Sequence, residues 1–507
     1  MTNESSSNNS VGYNPPKGST ARIDWSSRDG KSEEIEVTAE WIVLRKKEKP
    51  SAEIFNTYYR LVQPQNSKNG IRRAITFVLN GGPGAASAYL HLGGLGPQRV
   101  CFNKDGSKLP PPAKLTNNTE SWIEFTDLVF IDPVGTGFSR VVESDALAPA
   151  SVSAAQKDTS DKSKVTDEKE YYGLNRDLES LGEFIERFLS KYKLWDVPVY
   201  IAGESYGGFR TAKLARRLQE KHGIGLSAVI AISPALEWAL LNDGDYDVLR
   251  SVDTFCSMAL GAAFHGRSRV FKKGDSIEKM RPTIESFATK ELAHALMVGT
   301  AHEPAELEKV FCKTADFLGL PEQMVKRAHG RIPFWRFSRE LLRDQQRIVS
   351  WYDATLTTID PYPDREMNEA PDPSLVGDEH IFESGINQLL RARIGVETER
   401  RYESLNLEVY TVWKRDDSKH AFDGPAGSVD DLRYAMSLNP EMKVLIVHGY
   451  YDMITPYFSS ERLVEQMKLL PESRRNLTLK YFSGGHMFYT WEESRIAFRD
   501  YCRNYYE

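Results

Sequence analysis

The chain has 507 residues, of which 40% are hydrophobic and 27% charged, which is typical of a soluble protein with a large core and room for a second lobe. Its formal net charge of −6 and its pI near 6.0 argue against nucleic-acid binding, because no basic face is available to neutralise phosphates. No stretch of the sequence approaches the ~18 uninterrupted apolar residues of a membrane helix, so no membrane association is expected.

The start of the chain, residues 1–32, is rich in serine, asparagine and glycine. It predicts a flexible tail, because so polar a segment buries too little surface to offset its ordering entropy. Residues 1–9 lack the apolar core of a signal peptide, which predicts a cytoplasmic protein; a secreted or periplasmic protein whose signal peptide has been removed would begin in the same way. The four cysteines are too widely spaced to indicate a disulfide framework or a zinc site, and neither a metal nor a cofactor is expected.

Residues 33–236 predict the first part of an α/β core. Alternating apolar residues from Ile35 to Val43, and more loosely from Ile54 to Leu61, indicate an antiparallel hairpin. Almost fully apolar strands follow. Because their apolar residues are consecutive and do not alternate with polar ones, both faces are expected to be buried, which indicates a mostly parallel sheet with helices on both faces. These strands are Ala74–Leu79, Leu128–Ile131, Val199–Ala202 and Ala228–Ile232. Glycine-rich loops after several of them mark the functional edge of such a sheet.

Two segments interrupt this pattern. Residues 144–170, rich in serine, alanine, aspartate and lysine, predict a surface excursion. In residues 237–439 the strand signal fades and helical spacing dominates, which predicts an inserted helical cap; one predicted helical run includes Phe334, Phe337, Leu341 and Ile348. The core resumes in residues 440–507. Between the two interruptions, one apolar helix face is expected to cover the sheet, formed by Leu174, Leu178, Leu181, Ile185 and Phe188.

A nucleophile elbow is the strongest single signal in the sequence. The third apolar strand breaks into Gly203-Glu204-Ser205-Tyr206-Gly207, which fits the Gly-x-Ser-x-Gly pattern. A sharp turn from strand to helix puts the serine in a cramped backbone, and the flanking glycines leave room for it. Ser205 is therefore the candidate nucleophile, and the N–H of Tyr206 points to where negative charge develops in acyl transfer. Alone, the pentapeptide also fits a strand-end turn with an inert serine.

Two later residues complete a candidate triad. In this fold the order along the chain is serine, acid, histidine. Asp452 lies just past the apolar run Val444–Val447, and the only histidine after it is His486, which follows the run Leu477–Phe482 and two glycines. Either residue alone fits a solvated loop. Together with Ser205, in the expected order and each after an apolar run, they predict a catalytic triad.

The chain resembles the serine carboxypeptidase family in four motifs that follow one another in the family's order. They are Leu79-Asn80-Gly81-Gly82-Pro83-Gly84, Asp132-Pro133-Val134-Gly135-Thr136-Gly137-Phe138-Ser139, Gly203-Glu204-Ser205-Tyr206-Gly207-Gly208 and Gly485-His486-Met487. The resemblance runs from about Ile35 to the end, and the cap matches in position and helical character. It implies an α/β-hydrolase fold with an inserted helical cap, and hydrolysis of the C-terminal peptide bond of peptides that have a free C-terminus.

The resemblance also implies roles for residues around the nucleophile. The oxyanion hole would use the N–H groups of Gly82 and Tyr206. Asn80 and Glu204, with the N–H of Gly81, would hold the free carboxylate of the substrate. A glutamate beside the nucleophile has no place in the triad, but once protonated it can donate a hydrogen bond to a carboxylate.

The chain departs from the family's pattern at three positions. Val78 stands where the family often has tryptophan, Ala85 where it often has cysteine, and Gly94 where it often has glutamate. Ala85 removes a disulfide anchor, in agreement with a reducing compartment or a bacterial-type relative. Gly94 removes a carboxylate expected to share a proton with Glu204, which predicts a pH optimum closer to neutrality than is usual in the family.

Other functions fit the same scaffold. The nearest alternative is an acyltransferase, in which an alcohol or amine replaces water as the acceptor of the acyl group, or an esterase, whose substrate is an ester. A further alternative is a catalytically idle hydrolase fold that acts as a binding protein, although all the triad positions are occupied.

Overall fold

The computed structural model describes residues 13–62, 72–142, 168–241, 244–366, 372–416 and 424–506. The strands in these ranges are β1 (Ser19–Ser26), β2 (Ser32–Lys46), β3 (Lys49–Leu61), β4 (Ile75–Leu79), β5 (Gln98–Val100), β6 (Leu115–Asn117), β7 (Asp127–Ile131), β8 (Arg140–Val141), β9 (Val199–Glu204), β10 (Ala228–Ile232), β11 (Arg347–Val349), β12 (Thr357–Ile359), β13 (Lys443–Gly449) and β14 (Leu477–Phe482).

The helices in the same ranges are α1 (Ala88–Leu90), α2 (Leu174–Tyr192), α3 (Tyr206–His222), α4 (Val248–Phe264), α5 (Ile277–Phe287), α6 (Ala293–Val298), α7 (Pro304–Leu318), α8 (Glu322–Arg327), α9 (Phe334–Glu340), α10 (Leu375–Asn387), α11 (Leu407–Val412), α12 (Val429–Leu438), α13 (Tyr457–Gln466), α14 (Pro471–Arg474) and α15 (Glu492–Tyr506). None of these helices is long and apolar enough to cross a membrane.

Ten of the described strands form one sheet. Its order is β1-β2-β3-β7-β4-β9-β10-β13-β14, and β8 pairs with β3. From β7 to β14 every neighbouring pair is parallel, whereas β1, β2 and β3 are antiparallel. The sheet therefore brings the carboxyl ends of β4, β9, β13 and β14 to one edge, as the predicted α/β-hydrolase fold requires. The predicted hairpin is confirmed as β2 and β3, with Ile35 opposite Leu61.

Helices cover both faces of the sheet. Side chains alternate along each central strand, so Phe77 and Ile201 enter a hydrophobic core together with residues of α2 and α3. Their neighbours Val78 and Ala202 enter a second core on the opposite face, which includes Phe498 of α15. Because both faces of these strands are buried, their sequences are continuously apolar.

The segment between β10 and β13 is mainly helical, from α4 to α12, and most of a third hydrophobic cluster lies in it, together with Tyr451, Met453, Tyr457 and Phe458 after β13. The prediction that Ile348 continues a helix is wrong, since α9 ends earlier and Ile348 lies in β11, which pairs with β12. The last part of the predicted cap also differs. In α12, Leu432 and Ala435 belong to the core beside α3, so this helix covers the sheet and not the site.

The predicted flexible tail is wrong over the last part of residues 1–32. Residues Ser19–Ser26 form β1, an edge strand paired antiparallel with β2. The segment is polar on average, but Ala21, Ile23 and Trp25 alternate and face the core, and the indole of Trp25 donates to the carbonyl of Asn118 at 2.7 Å. Residues 1–12, and most of the predicted surface excursion at 144–170, lie outside the described residues.

Candidate active site

The predicted elbow adopts the strained backbone that its sequence requires. Ser205 lies between β9 and α3 with φ 60° and ψ −122°, a conformation that side chains rarely adopt. A Cβ atom on Gly203 would come within 2.3 Å of the carbonyl oxygen of Gly207, and one on Gly207 within 2.5 Å of the carbonyl oxygen of Leu79. Both glycines are therefore required by close packing around the serine.

The candidate acid and base meet at the ends of the next two strands. Asp452 follows β13 and His486 follows β14, and Nδ1 of His486 donates to Oδ2 of Asp452 at 2.6 Å. The other carboxylate oxygen of Asp452 accepts from the N–H groups of Ile454 (2.8 Å) and Thr455 (3.0 Å). Because a carboxylate only accepts hydrogen bonds, Nδ1 carries the proton and Nε2 is left as the base.

Ser205 and His486 line the same cavity, of about 260 Å³. Within the described residues the hydroxyl of Ser205 makes no hydrogen bond. A loose contact between nucleophile and base is common before a substrate binds. Burial alone would lower the pKa of His486, but the charge and hydrogen bond of Asp452 outweigh it and raise that pKa above its ordinary value. The histidine therefore accepts a proton readily.

The predicted oxyanion donors lie beside the nucleophile. Tyr206 is the first residue of α3, where an N–H has no partner within the helix, and Gly82 lines the cavity. Neither N–H donates to another group of the described chain. The two loops are in contact, since a Cβ on Gly81 would come within 2.6 Å of the Tyr206 nitrogen and 2.9 Å of the Ser205 Cβ. The arrangement leaves two donors available for a developing oxyanion.

A buried ion pair holds the loops that carry the two oxyanion donors. Arg210 of α3 donates from Nε to Asp177 of α2 at 2.8 Å and from a terminal nitrogen to the carbonyl oxygen of Asn80 at 3.0 Å. The hydroxyl of Tyr206 donates to the same Asp177 at 2.9 Å. These contacts join the elbow helix to the loop after β4, so the two oxyanion donors are held relative to each other.

The predicted carboxylate-binding residues also meet in the cavity. The side-chain amide of Asn80 donates to Oε2 of Glu204, and its oxygen accepts from the N–H of Leu90 at 2.9 Å. Glu204 is 4% exposed, and burial raises its pKa to about 7. The N–H of Gly81 makes no main-chain hydrogen bond within the described residues. Below about pH 7 a protonated carboxyl group, together with one amide hydrogen and the N–H of Gly81, is thus available to a carboxylate.

Sequence reasoning missed the contribution of the cap to the histidine loop. The carbonyl of Tyr352 accepts from the N–H of His486 at 2.5 Å, and the carboxylate of Asp353 accepts from the N–H of Gly485 at 2.8 Å. A Cβ on Gly485 would come within 2.0 Å of the Tyr352 carbonyl oxygen, so the two segments are in tight contact. Both cap residues follow β11, where the helical spacing of Ile348 predicts a helix, and no sequence pattern links them to the histidine.

Two tyrosines of the site were also missed. Tyr489 donates to Oε1 of Glu204 at 2.7 Å. Tyr89 lines the cavity, and within the described ranges its buried hydroxyl has no hydrogen-bond partner. The only sequence signal for Tyr489 is its place shortly after His486, and for Tyr89 its place in the helix that follows the glycine-rich loop. The remaining walls of the cavity are mostly apolar and include Pro83, Ala85, Tyr352, Leu405, Leu407, Tyr410 and Met487.

Similarity to known proteins agrees with this geometry. The sequence profile described as serine carboxypeptidase matches residues 46–314, which is more than half of the chain. The pheromone-processing carboxypeptidase KEX1 of Metarhizium robertsii is 32% identical over 160 residues, which cover 31% of this chain and 21% of that protein. The protein of the same name from Podospora anserina is 23% identical over 408 residues, which cover 80% of this chain and 56% of that protein. Serine carboxypeptidase S10 family member 1 of Dictyostelium discoideum is 30% identical over 176 residues, 34% of each chain.

These matches span from 21% to 56% of the relatives' own length. None of the three relatives is bacterial, and the bacterial-type relationship stays a prediction. Among solved structures, the proline iminopeptidase of Mycobacterium smegmatis overlaps 92% of this chain and 97% of its own at 12% identity and a TM-score of 0.36, so the fold is assigned from the sheet topology. On the sequence profile, and on three of the four motifs that line one cavity, the chain belongs to the serine carboxypeptidase family.

Proposed function

We propose that this protein is a serine-type carboxypeptidase, which removes the C-terminal amino acid from peptides through an acyl-enzyme on Ser205. The observation that carries the proposal is the placement of Glu204 beside the nucleophile. Its carboxyl group is buried in the same cavity, is held by Asn80, and has a pKa raised to about 7 by burial. A carboxyl group that stays protonated up to about pH 7 is suited to donate a hydrogen bond to the free carboxylate of a substrate.

The geometry supports the usual two-step hydrolysis. His486 takes the proton of Ser205 as Oγ attacks the carbonyl carbon of the last peptide bond, and the N–H groups of Gly82 and Tyr206 stabilise the negative oxygen that forms. His486 then protonates the leaving nitrogen, and the C-terminal amino acid departs. Water attacks the acyl-enzyme by the same route, with Asp452 holding the histidine in its reactive tautomer throughout.

The walls of the cavity bear on the substrate's side chains. Tyr89, Tyr352 and Met487 lie on the same cavity as Glu204, and Leu407 and Tyr410 of α11 add an exposed apolar rim. Among the described residues, no lysine or arginine lines the cavity. The cavity therefore favours apolar or aromatic residues at the scissile bond.

The proposal is tested by identifying products from a blocked dipeptide with a free C-terminus and from its C-terminally amidated form. We expect release of one amino acid from the free form and little cleavage of the amide. Ser205→Ala is the control for contaminating peptidases, and an added alcohol or amine acceptor reveals acyl transfer. Products made mainly by transfer to the acceptor would favour the acyltransferase alternative, and turnover of neutral esters without any peptide cleavage would favour an esterase.

A further inference from the structure

The ring of Tyr489 fills a space next to the glycines of a π-helical turn, His91–Leu95. A Cβ on Gly93 would come within 2.5 Å of Cε2 of Tyr489, and a Cβ on Gly94 would lie 3.2 Å from its Cβ and Cγ atoms. Gly94 stands where the family resemblance implied a glutamate next to Glu204. The two glycines thus leave room for an aromatic ring at the point where this chain lacks that carboxyl group.

The hydroxyl of this ring reaches the carboxyl group of Glu204. It donates to Oε1 at 2.7 Å, while Asn80 donates to Oε2. Tyr489 is fully buried, and within the described residues its hydroxyl has no other hydrogen-bond partner. We propose that Tyr489 is a positioning residue that fixes Glu204 through Oε1 and so keeps its second oxygen at Asn80 and facing the bound substrate carboxylate. This inference rests on the proposed carboxypeptidase function.

The hydroxyl suits this task in both protonation states of Glu204. The phenol donates to Oε1 whether Glu204 is ionised or carries its proton on Oε2, so the contact persists as Glu204 titrates and leaves that proton for the substrate carboxylate. Among the described residues, the other titratable groups that interact with Glu204 include His486, Asp452 and Tyr89. Burial raises the pKa of Glu204, and the hydrogen bond from Tyr489 opposes that rise by stabilising the ionised form. Tyr489 therefore affects both the orientation of Glu204 and the pH at which it loses its proton.

Packing alone does not require the hydroxyl. The ring lies against Gly93 and Gly94 and, at 5.9 Å between centroids, against Phe488, and a phenylalanine would fill the same volume. A structural role would make Tyr489→Phe nearly neutral for activity or would reduce all activities together. A positioning role makes the loss specific to substrates whose carboxylate contacts Glu204. The two roles are separated by the substrate used.

The test compares kcat/KM of Tyr489→Phe on a blocked dipeptide and on a neutral ester, across pH. We expect about a tenfold loss on the peptide and less than about a twofold loss on the ester, as for one hydrogen bond to an ionisable group. We also expect the alkaline limb of the peptide profile to move to higher pH, because Glu204 loses a donor that stabilises its ionised form. Tyr59→Phe is the matched control: its buried hydroxyl bonds to His91 at 2.7 Å in the same turn and does not contact Glu204.

If Tyr489→Phe leaves the ratio of kcat/KM on the peptide to kcat/KM on the ester unchanged, whether because both stay at the wild-type value or because both fall equally, the positioning role is overturned. Gly93→Ala gives a second variant that keeps the hydroxyl but displaces the ring, and it should lower the peptide rate selectively as well. Failure of the proposed function is seen separately, in the wild type. A wild-type enzyme that cleaves the ester but not the peptide would contradict the carboxypeptidase proposal before any variant is made.

Discussion

The two sides of the cavity are built in different ways. On the catalytic side, Ser205, Asp452 and His486 each follow a strand of the parallel sheet, and their positions depend on strand ends and on glycine turns. On the carboxylate side, Glu204 comes from the same elbow, but its partners Asn80 and Tyr489 reach it from distant parts of the chain. The catalytic side is therefore determined by the sheet, and the carboxylate side by side-chain packing around one buried acid.

The two sides also titrate in opposite senses. His486 must be neutral to accept a proton, so activity rises as pH increases through its pKa, which Asp452 raises against the effect of burial. Glu204 must be protonated to donate to a carboxylate, so binding of that carboxylate weakens as pH increases through about 7. Only the second requirement depends on the substrate, and this makes the two sides separable by experiment.

Removing the nucleophile or the base should have the largest effect. It should reduce activity on peptides and on esters alike, because both substrates need the catalytic side of the cavity. Ser205→Ala and His486→Ala are each expected to reduce turnover of every substrate by ~10⁴-fold or more, because the two residues act as one unit. Asp452→Asn should lose about ten- to a hundredfold less, since it only orients the histidine and compensates its charge. A fluorophosphonate should label Ser205 alone, as checked by peptide mass mapping. Activity retained by Ser205→Ala would contradict the triad.

The pH dependence should sharpen the comparison. Peptide hydrolysis is expected to give a bell-shaped kcat/KM profile centred near neutrality, with its acid limb from His486 and its alkaline limb from Glu204. A neutral ester should show the acid limb alone, because it makes no use of Glu204. The measurement is kcat/KM for both substrates over the same pH range. A peptide profile that peaks sharply below pH ~5 would contradict this assignment.

The smallest expected effect concerns Tyr89, which lines the cavity and whose buried hydroxyl has no hydrogen-bond partner in the described ranges. If a substrate group hydrogen-bonds to this hydroxyl, Tyr89→Phe removes that hydrogen bond, and kcat/KM on peptides should decrease about three- to tenfold. Thermal melting gives the control. If the hydroxyl binds nothing, removing an unsatisfied buried group should raise Tm and leave kcat/KM unchanged, which would exclude Tyr89 from substrate binding.

The core of the fold was predictable because its strands are buried on both faces. The run Ala228–Ile232 coincides with β10, since every residue of it is apolar and buried and the run ends where the loop begins. The run Leu477–Phe482 coincides with β14, which lies at the edge of the sheet and exposes Lys480. The elbow was predictable because close packing around Ser205 leaves no room for a side chain at the two flanking positions, which must therefore be glycine. In contrast, β1 was missed because a polar average composition hid three alternating inward residues.

The remaining parts of the site depend on tertiary contacts that leave no local pattern. Tyr352 and Asp353 reach the histidine loop from a cap turn whose neighbour Ile348 fits a helical spacing but lies in a strand. Tyr489 becomes visible as a partner of Glu204 only when its ring is seen against Gly93 and Gly94. These residues contact the site because of how the folded chain packs around them, and neither the periodicity of apolar residues nor the spacing of motifs predicts such contacts.

The most direct test of the division between the two sides is kcat/KM of Glu204→Ala and of Asn80→Ala on a blocked dipeptide and on a neutral ester. Losing a hydrogen bond to a charged group costs about 1.5–3 kcal/mol, so each variant should lose roughly ten- to a hundredfold or more on the peptide and far less on the ester. Equal losses on both substrates would instead mean that Glu204 braces the elbow and Asn80 its loop, and the chain would then be a serine hydrolase without a carboxylate-binding site.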